Sequence, residues 1–311
     1  MSTMLKPKAL KKGDLVAVAA PASPFDAAIF RQSIKNMQKA GFKVTFRKDI
    51  FSKERYLAGP DRRRADELNQ FFADPNVRAI FFARGGYGLQ RILPLLDIEA
   101  IKANPKIVLG YSDITALHVF LNRHGIGGTF YGPNAGNMFK LASKRTYDLA
   151  IAAVTTDTAL GMLPCNGAKT IRAGEAEGTL VGGCLSLIDS SIGTPYELPT
   201  DDTILFLEDV NEPVYKYDRM LTHLKAAGKL RNVKGIVLGA MTIPKGENPA
   251  WLKTMIKDVL GEFPGPIISD FPSGHLPPKK LFVTLPLGAR AKMTCGRGRP
   301  SLEMLENAVV A

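Results

Sequence analysis

Ser112 stands where a side chain can become a nucleophile. It lies in Lys106-Ile-Val-Leu-Gly-Tyr-Ser-Asp-Ile-Thr-Ala-Leu-His118, an apolar strand, a sharp turn containing Gly110, and an amphipathic helix. In such an elbow the tight turn lifts a hydroxyl beside the unpaired N–H groups that open the helix. The hydroxyl attacks, and the Asp113 N–H helps to hold the oxyanion that develops. The elbow pattern G-x-S-x-G is incomplete, because Ile114 stands where its second glycine belongs. Serine before a helix is also what a structural N-cap selects, so the position alone carries two readings. A glycine-rich segment, Arg84-Gly-Gly-Tyr-Gly88, likewise follows a strand and precedes a helical run. It does not spell G-x-G-x-x-G, and no acidic residue ends a strand about 20 residues on, which sets aside a dinucleotide fingerprint. Beyond a plain turn, it offers bare backbone N–H groups, notably that of Gly86, as a second oxyanion donor.

A serine nucleophile needs a base, and the base needs a carboxylate to hold its tautomer. Four histidines are available. His118 falls within the helix after Ser112, which is expected to carry its side chain away from the elbow; His124 is near the end of that helix and His223 is on a charged helix. His275 differs, because it sits in Phe271-Pro-Ser-Gly-His-Leu-Pro-Pro278, a loop dense in Pro and Gly that follows a strand. Loops on rigid scaffolds are where catalytic groups concentrate. For the carboxylate, the apolar strand beginning at Thr203 ends in adjacent Glu208 and Asp209. Successive strand residues point to opposite faces, so only one of the two can meet the histidine, and the pattern does not say which. Asp209 and Glu212 also suit the N-terminal charge of the helix that follows.

Positioning these groups requires an α/β scaffold. Through residue 150 apolar strand-like runs alternate with amphipathic helices, the signature of βαβ units and a mainly parallel sheet. The spacing predicts strands over Leu15 to Ala20, Lys43 to Phe46, Val77 to Ala83 and Lys106 to Tyr111. It predicts helices over Asp26 to Ala40, closed by Gly41, over Asp61 to Phe72, and over Ile114 to Leu121. Periodicity weakens between 151 and 170, where Pro164, Asn166 and Gly167 mark an expected linker. A second half then shows strands around Gly178 to Val181, Thr203 to Leu207 and Gly235 to Ala240, with helices around Tyr215 to Ala227 and Trp251 to Leu260. In the tail, Leu281 to Leu285 and Ala289 to Cys295 read as two strands paired through a turn at Pro286 to Gly288.

Composition narrows the function classes. At 311 residues and 45% hydrophobic content the chain is about twice the rough 150-residue norm for one domain and can bury more than one core. No run approaches the roughly 18 apolar residues of a membrane span. The apolar stretch after the N-terminal lysines is shorter than a signal-peptide core and reads as a first strand, so a cytoplasmic protein is expected. Cys165, Cys184 and Cys295 are odd in number and lack C-x-x-C pairing, which speaks against a disulfide framework or a zinc site. The net charge of +12 is scattered rather than gathered in an aromatic-interleaved stripe, so no nucleic-acid partner is expected; a basic surface can steer an anionic small substrate instead.

Five blocks in order, Arg84 to Gly88, Gly110-Tyr-Ser-Asp-Ile-Thr-Ala116, Gly182-Gly-Cys-Leu-Ser186 with Gly193 to Glu197, Leu205 to Val210, and Ser273-Gly-His275, resemble the LD-carboxypeptidase family of serine peptidases from Gly13 to about Lys292. The resemblance implies a Rossmann-like or flavodoxin-like N-terminal domain (1–150) that carries the nucleophile, a linker (151–170), and a smaller swivelling-type α/β domain (171–311) that supplies Glu and His. It places the nucleophile on Ser112, the orienting carboxylate on Glu208 rather than Asp209, and the base on His275, with oxyanion donors from the Gly86 and Asp113 backbone. It further implies no metal or cofactor, a homodimer, and removal of the C-terminal D-alanine from murein tetrapeptides, in peptidoglycan recycling. Arg84 is a candidate partner for the D-alanine carboxylate. The family often has Asn where Cys184 stands, a departure that bears on substrate preference. A second branch hydrolyses peptidyl-nucleotide antibiotics of the microcin type with the same triad. A non-catalytic binding protein with Ser112 as a cap is the contrasting reading, and it expects replacement of Ser112 to leave function intact.

Overall fold

Along the first strand, side chains sort by parity: Val16, Val18 and Ala20 enter one apolar cluster and Ala17 and Ala19 another. A strand apolar on both faces needs a layer on each side, and the computed structural model, which describes residues 4–138 and 143–311, provides it. Strands β1 (Leu15–Ala19), β2 (Lys43–Thr45), β3 (Val77–Phe82), β4 (Ile107–Gly110) and β5 (Thr129–Tyr131) are parallel in the spatial order 2-1-3-4-5, the flavodoxin-like order. Helix α1 (Ala27–Lys39) covers one face through Phe30, Ile34 and Met37, while α2 (Asp61–Ala73), α3 (Ile98–Ala103) and α4 (Thr115–Arg123) cover the other. The start of α1 is set by Asp26, whose carboxylate accepts the Ile29 N–H at 2.8 Å. After the short α5 (Ala135–Met138), α6 (Lys144–Thr155) returns Ala150, Ala153 and Val154 to the α1 side.

The second unit holds β6 (Gly161–Met162), β7 (Lys169–Arg172), β8 (Gly174–Cys184), α7 (Leu185–Ser191), β9 (Thr203–Asp209), α8 (Val214–Ala226), β10 (Gly235–Met241), α9 (Pro249–Leu260) and β11 (Ile267–Ser269). Three further strands follow, β12 (Leu285–Leu287), β13 (Arg290–Cys295) and β14 (Ser301–Met304). Its eight-stranded sheet runs 6-14-13-8-9-10-11-7, with β8 to β11 parallel and the flanking strands antiparallel. The segment 151–170 contains the end of α6, the two-residue β6 and the start of β7.

The expected pairing of the two tail strands is not what forms. β12 adds antiparallel to β5 as the edge of the first sheet, where the missing N–H of Pro286 is tolerated, while β13 lies between β8 and β14 in the second. The chain crosses at Gly288, whose φ of +79° suits glycine. Gly288 N–H donates to Leu180 O, and Leu180 N–H to Ala289 O, both at 2.8 Å. The first tail strand is also displaced: residues 281–284 form no strand, and Pro286 and Leu287, expected in the turn, belong to β12, whereas the strand expected over Ala289 to Cys295 forms as β13. Among the described residues no helix is long and apolar enough to cross a membrane.

Candidate active site

The polypeptide turns as soon as β4 ends. Tyr111 is extended, and Ser112 then takes φ +67°, a left-handed conformation that costs a non-glycine residue on the order of 1–3 kcal/mol. Packing enforces it. A Cβ on Gly110 would lie 2.7 Å from the Phe82 ring, Tyr111 N–H donates to Asn134 Oδ1 at 3.2 Å, and a Cβ on Gly85 would lie 2.8 Å from that of Ser112. The residue preceding the 3-10 turn Ser112–Ile114 is Tyr111, and no side chain caps it, so Ser112 is not an N-cap.

The glycine loop is clamped from both sides. Ser23 N–H donates to Gly85 O, and Ser23 Oγ accepts the Tyr87 N–H, each at 3.2 Å. A Cβ on Gly86, where φ is +106°, would lie 2.6 Å from that of Ser23. The buried Asp113 carboxylate accepts the Leu89 N–H at 2.8 Å and that of Gly88. Arg64, fully buried, donates to Gly88 O at 2.8 Å, to Gly59 O at 3.2 Å and to Pro21 O, and pairs with Asp61. Burial pushes the Asp113 carboxyl up to about 6, against the opposing pull of the backbone N–H groups and Arg64.

Parity separates the two acids. Ile204 and Phe206 enter the core that meets Tyr131 of the first unit, and Glu208 continues that face; Leu205 and Leu207 enter the opposite core, as does the side to which Asp209 belongs. Asp209 accepts the Ser186 N–H at 2.7 Å, so it serves α7 rather than α8. Glu208, fully buried, accepts the His275 N–H at 2.9 Å, and His275 Nδ1 lies 2.9 Å from its Oε2. That contact places the Nδ1 proton toward Glu208 and leaves Nε2 as the basic atom. Gly274 permits the approach: at φ +108° it lacks the Cβ that would fall 2.7 Å from Glu208 Cδ. Burial lowers the pKa of His275, but the hydrogen bond and charge of Glu208, with the charge of Asp209, outweigh it and raise the pKa above 6.5.

Tyr131 joins the pair to the elbow. Its hydroxyl donates to Glu208 Oε1 and accepts the Ser112 N–H at 3.3 Å, while the Tyr111 ring lies 4.9 Å from the His275 ring. Ser112, Glu208 and His275 thus converge from β4, β9 and the loop after β11. Sequence reasoning missed Tyr131, the Asp113 carboxylate and Arg64, because their burial beside the elbow and the glycine loop is set by tertiary packing. It also misplaced His118. That ring is not carried away from the elbow but bonds Gly110 O through Nε2 at 2.9 Å, because α4 packs back against the sheet it leaves, and burial pushes its pKa down to about 4. His124 bonds Phe120 O, and His223 pairs with Asp189 on the surface. Arg84 is exposed on the glycine loop and donates to Pro24 O at 2.8 Å. Cys184 lies opposite Glu208 in the β8–β9 register, and its N–H donates to Thr115 Oγ1 at 3.0 Å. A recess of about 90 Å³ is bordered by Tyr111, Gly274, Leu276, Lys279 and Lys280 of the elbow and the loop that carries His275.

Two α/β units, with Tyr131 linking the Ser112 backbone to the Glu208–His275 pair, fit a hydrolase of the serine-peptidase class. The chain belongs to the LD-carboxypeptidase family: residues 16–132 match its N-terminal domain and residues 177–293 its C-terminal domain. A probable murein peptide carboxypeptidase of Bacillus subtilis (strain 168) is 36% identical over 296 residues, covering 93% of this chain and 91% of the relative. The crystal structure of a muramoyltetrapeptide carboxypeptidase from Oxalobacter formigenes aligns with a TM-score of 0.83 and 26% identity over 94% of this chain and 99% of its own. An MccF-like protein from Bacillus anthracis str. Ames aligns with a TM-score of 0.89 and 29% identity over 97% and 99%.

Proposed function

We propose that the protein is a serine LD-carboxypeptidase that removes the C-terminal D-alanine from murein tetrapeptides by way of an acyl-enzyme. The observation that carries this reading is the bond from Glu208 to His275 Nδ1, which orients a base beside the strained Ser112 turn. His275 Nε2 takes the Ser112 proton as Oγ attacks the carbonyl of the bond to D-alanine. The oxyanion is held by the Gly86 and Asp113 N–H groups, as the clamped glycine loop and the helix start suggest. Collapse breaks the C–N bond, and His275 returns the proton to the departing amine. Water, deprotonated by His275, then hydrolyses the Ser112 ester. Arg84, exposed on the glycine loop, is the cation suited to the D-alanine carboxylate.

The division at 1–150, 151–170 and 171–311, a homodimeric state and a cytoplasmic place in peptidoglycan recycling complete this reading. The test is mass spectrometry of products from a murein tetrapeptide ending in D-alanine, with Ser112→Ala alongside. Loss of one alanine by the wild type alone is the expected result. If the wild type leaves the tetrapeptide intact, the substrate assignment fails, and peptidyl-adenylates of the microcin type are the next substrates to assay.

A further inference from the structure

Tyr131 ends β5 in the first sheet, whereas Glu208 lies one residue before the end of β9 in the second, so the hydrogen bond between them crosses from one unit to the other. We propose that the Tyr131 hydroxyl is a positioning group for the reaction, fixing Glu208 against His275 and tying the elbow backbone at Ser112 to that same carboxylate. The proposal rests on the reading above, in which those three residues act together.

A hydroxyl has one proton to give and lone pairs to receive. In Tyr131 the proton goes to Glu208 Oε1 and the Ser112 N–H is received at 3.3 Å, so each role is taken by a different half of the site. The side chain is fully buried, which leaves its polar partners no bulk water as a substitute. Burial, reinforced by the charge of Glu208, holds the phenol pKa well above 10, so the group stays a donor. Its ring is held by Phe206 of the second unit at 5.3 Å, by Tyr111 at 6.2 Å and by His118 at 6.1 Å. Glu208 receives three donors: the His275 N–H, His275 Nδ1 and the Tyr131 hydroxyl. Without the hydroxyl, Oε1 keeps only the imidazole, the carboxylate is free to turn, and its charge bears undiluted on His275.

The groups acting on His275 and its carboxylate are Glu208 and Asp209 of β9, the Tyr111 ring at the elbow and Cys184 of β8; Lys279 and Lys280 of the same loop line the neighbouring recess with Tyr111 and Gly274. Tyr131→Phe alters none of these and keeps the ring. We expect kcat to fall about tenfold to a hundredfold with KM nearly unchanged, since a hydrogen bond to a charged group is lost without loss of substrate contact. The acid limb of the pH–rate profile and the NMR titration of the His275 imidazole should both move upward. In a Glu208→Gln background the same substitution should add almost no further loss, because the carboxylate through which it acts is gone. The NMR titration needs no substrate, so it tests this role even if murein tetrapeptides prove to be the wrong substrate. An unchanged His275 titration, a change confined to KM, or a full additional loss on Glu208→Gln would overturn the proposal. So would a variant that no longer folds, because the hydroxyl would then be holding the units together rather than aligning the site.

Discussion

Gly274 and Glu208 approach so closely that no side chain fits between them: a Cβ on Gly274 would lie 2.7 Å from both Cγ and Cδ of the carboxylate, at a φ of +108°. The His275 N–H reaches Glu208 only because its neighbour is bare. Gly274→Ala should therefore push Glu208 out of line with His275 and lower kcat/KM by about a hundredfold, the effect of a displacement near 1 Å in a catalytic group. Steady-state kinetics on a soluble variant tests this, and activity within a few fold of wild type would show that the loop has room to yield.

Strain at Ser112 makes a second expectation. Its φ of +67° is easy for glycine, so Ser112→Gly should remove activity while raising stability by about 0.5–1 kcal/mol, relief of strain exceeding the added freedom of the unfolded chain. Ser112→Ala, which keeps the Cβ, should lose activity with no such gain. Urea midpoints of the three proteins decide the matter; a glycine variant less stable than the alanine variant would contradict the strain.

For His275, whose folded pKa is raised above 6.5, the stabilising bond to Glu208 is fully present below the unfolded value and is lost as pH rises through the folded one. Catalysis runs the other way, because the base works when neutral. The acid limb of kcat/KM should accordingly lie above pH 6.5 and drop in Glu208→Gln, which removes the charge and leaves the burial. That variant should also lose on the order of a thousandfold or more in kcat. A limb that stays in place would assign it to another group.

Asp113 is pushed up to about 6 by burial, so the folded protein holds its proton more tightly than the unfolded chain and pays for ionisation as pH rises from about 4 to 6. The stability difference between Asp113→Asn and wild type should therefore shift in favour of the variant across that window, read from denaturant midpoints at each pH. A constant difference would mean that the carboxyl ionises normally.

Arg64 gives a larger stability effect. Removing this buried guanidinium strands Pro21 O, Gly59 O and Gly88 O and leaves Asp61 with Arg91 alone, so Arg64→Met should cost about 3–5 kcal/mol. A loss near 1 kcal/mol, measured by urea denaturation, would show that water reaches those carbonyls.

What could be read in advance follows from how local each signal is. The elbow was legible because strand, glycine turn and helix are contiguous, and the strands at Leu15, Val77 and Thr203 were legible because both faces are apolar. That Glu208 and Asp209 diverge was legible too, but which one faces His275 depends on which side of β9 meets Tyr131, a fact of tertiary packing that only the family resemblance anticipated. Tyr131 itself sits in a three-residue strand and gave no periodic signal. The tail failed for the same reason: Pro286 reads locally as a turn residue, and only its place at the edge of the first sheet beside β5 makes 285–287 a strand.

That return of β12 to the first sheet has a bearing on how the chain is made. During synthesis the first sheet's strands leave the ribosome early, yet its open edge at β5 stays uncovered until residues 285–287 emerge. The closing contacts arrive later still: Val310 pairs with Lys8, and Ala308 and Val309 enter the core beneath α1. A nascent chain therefore carries an unpaired strand edge through about half of its translation, the kind of edge on which neighbouring chains associate. Shortening the tail should reveal itself first as aggregation during expression, before any effect on the chemistry of Ser112.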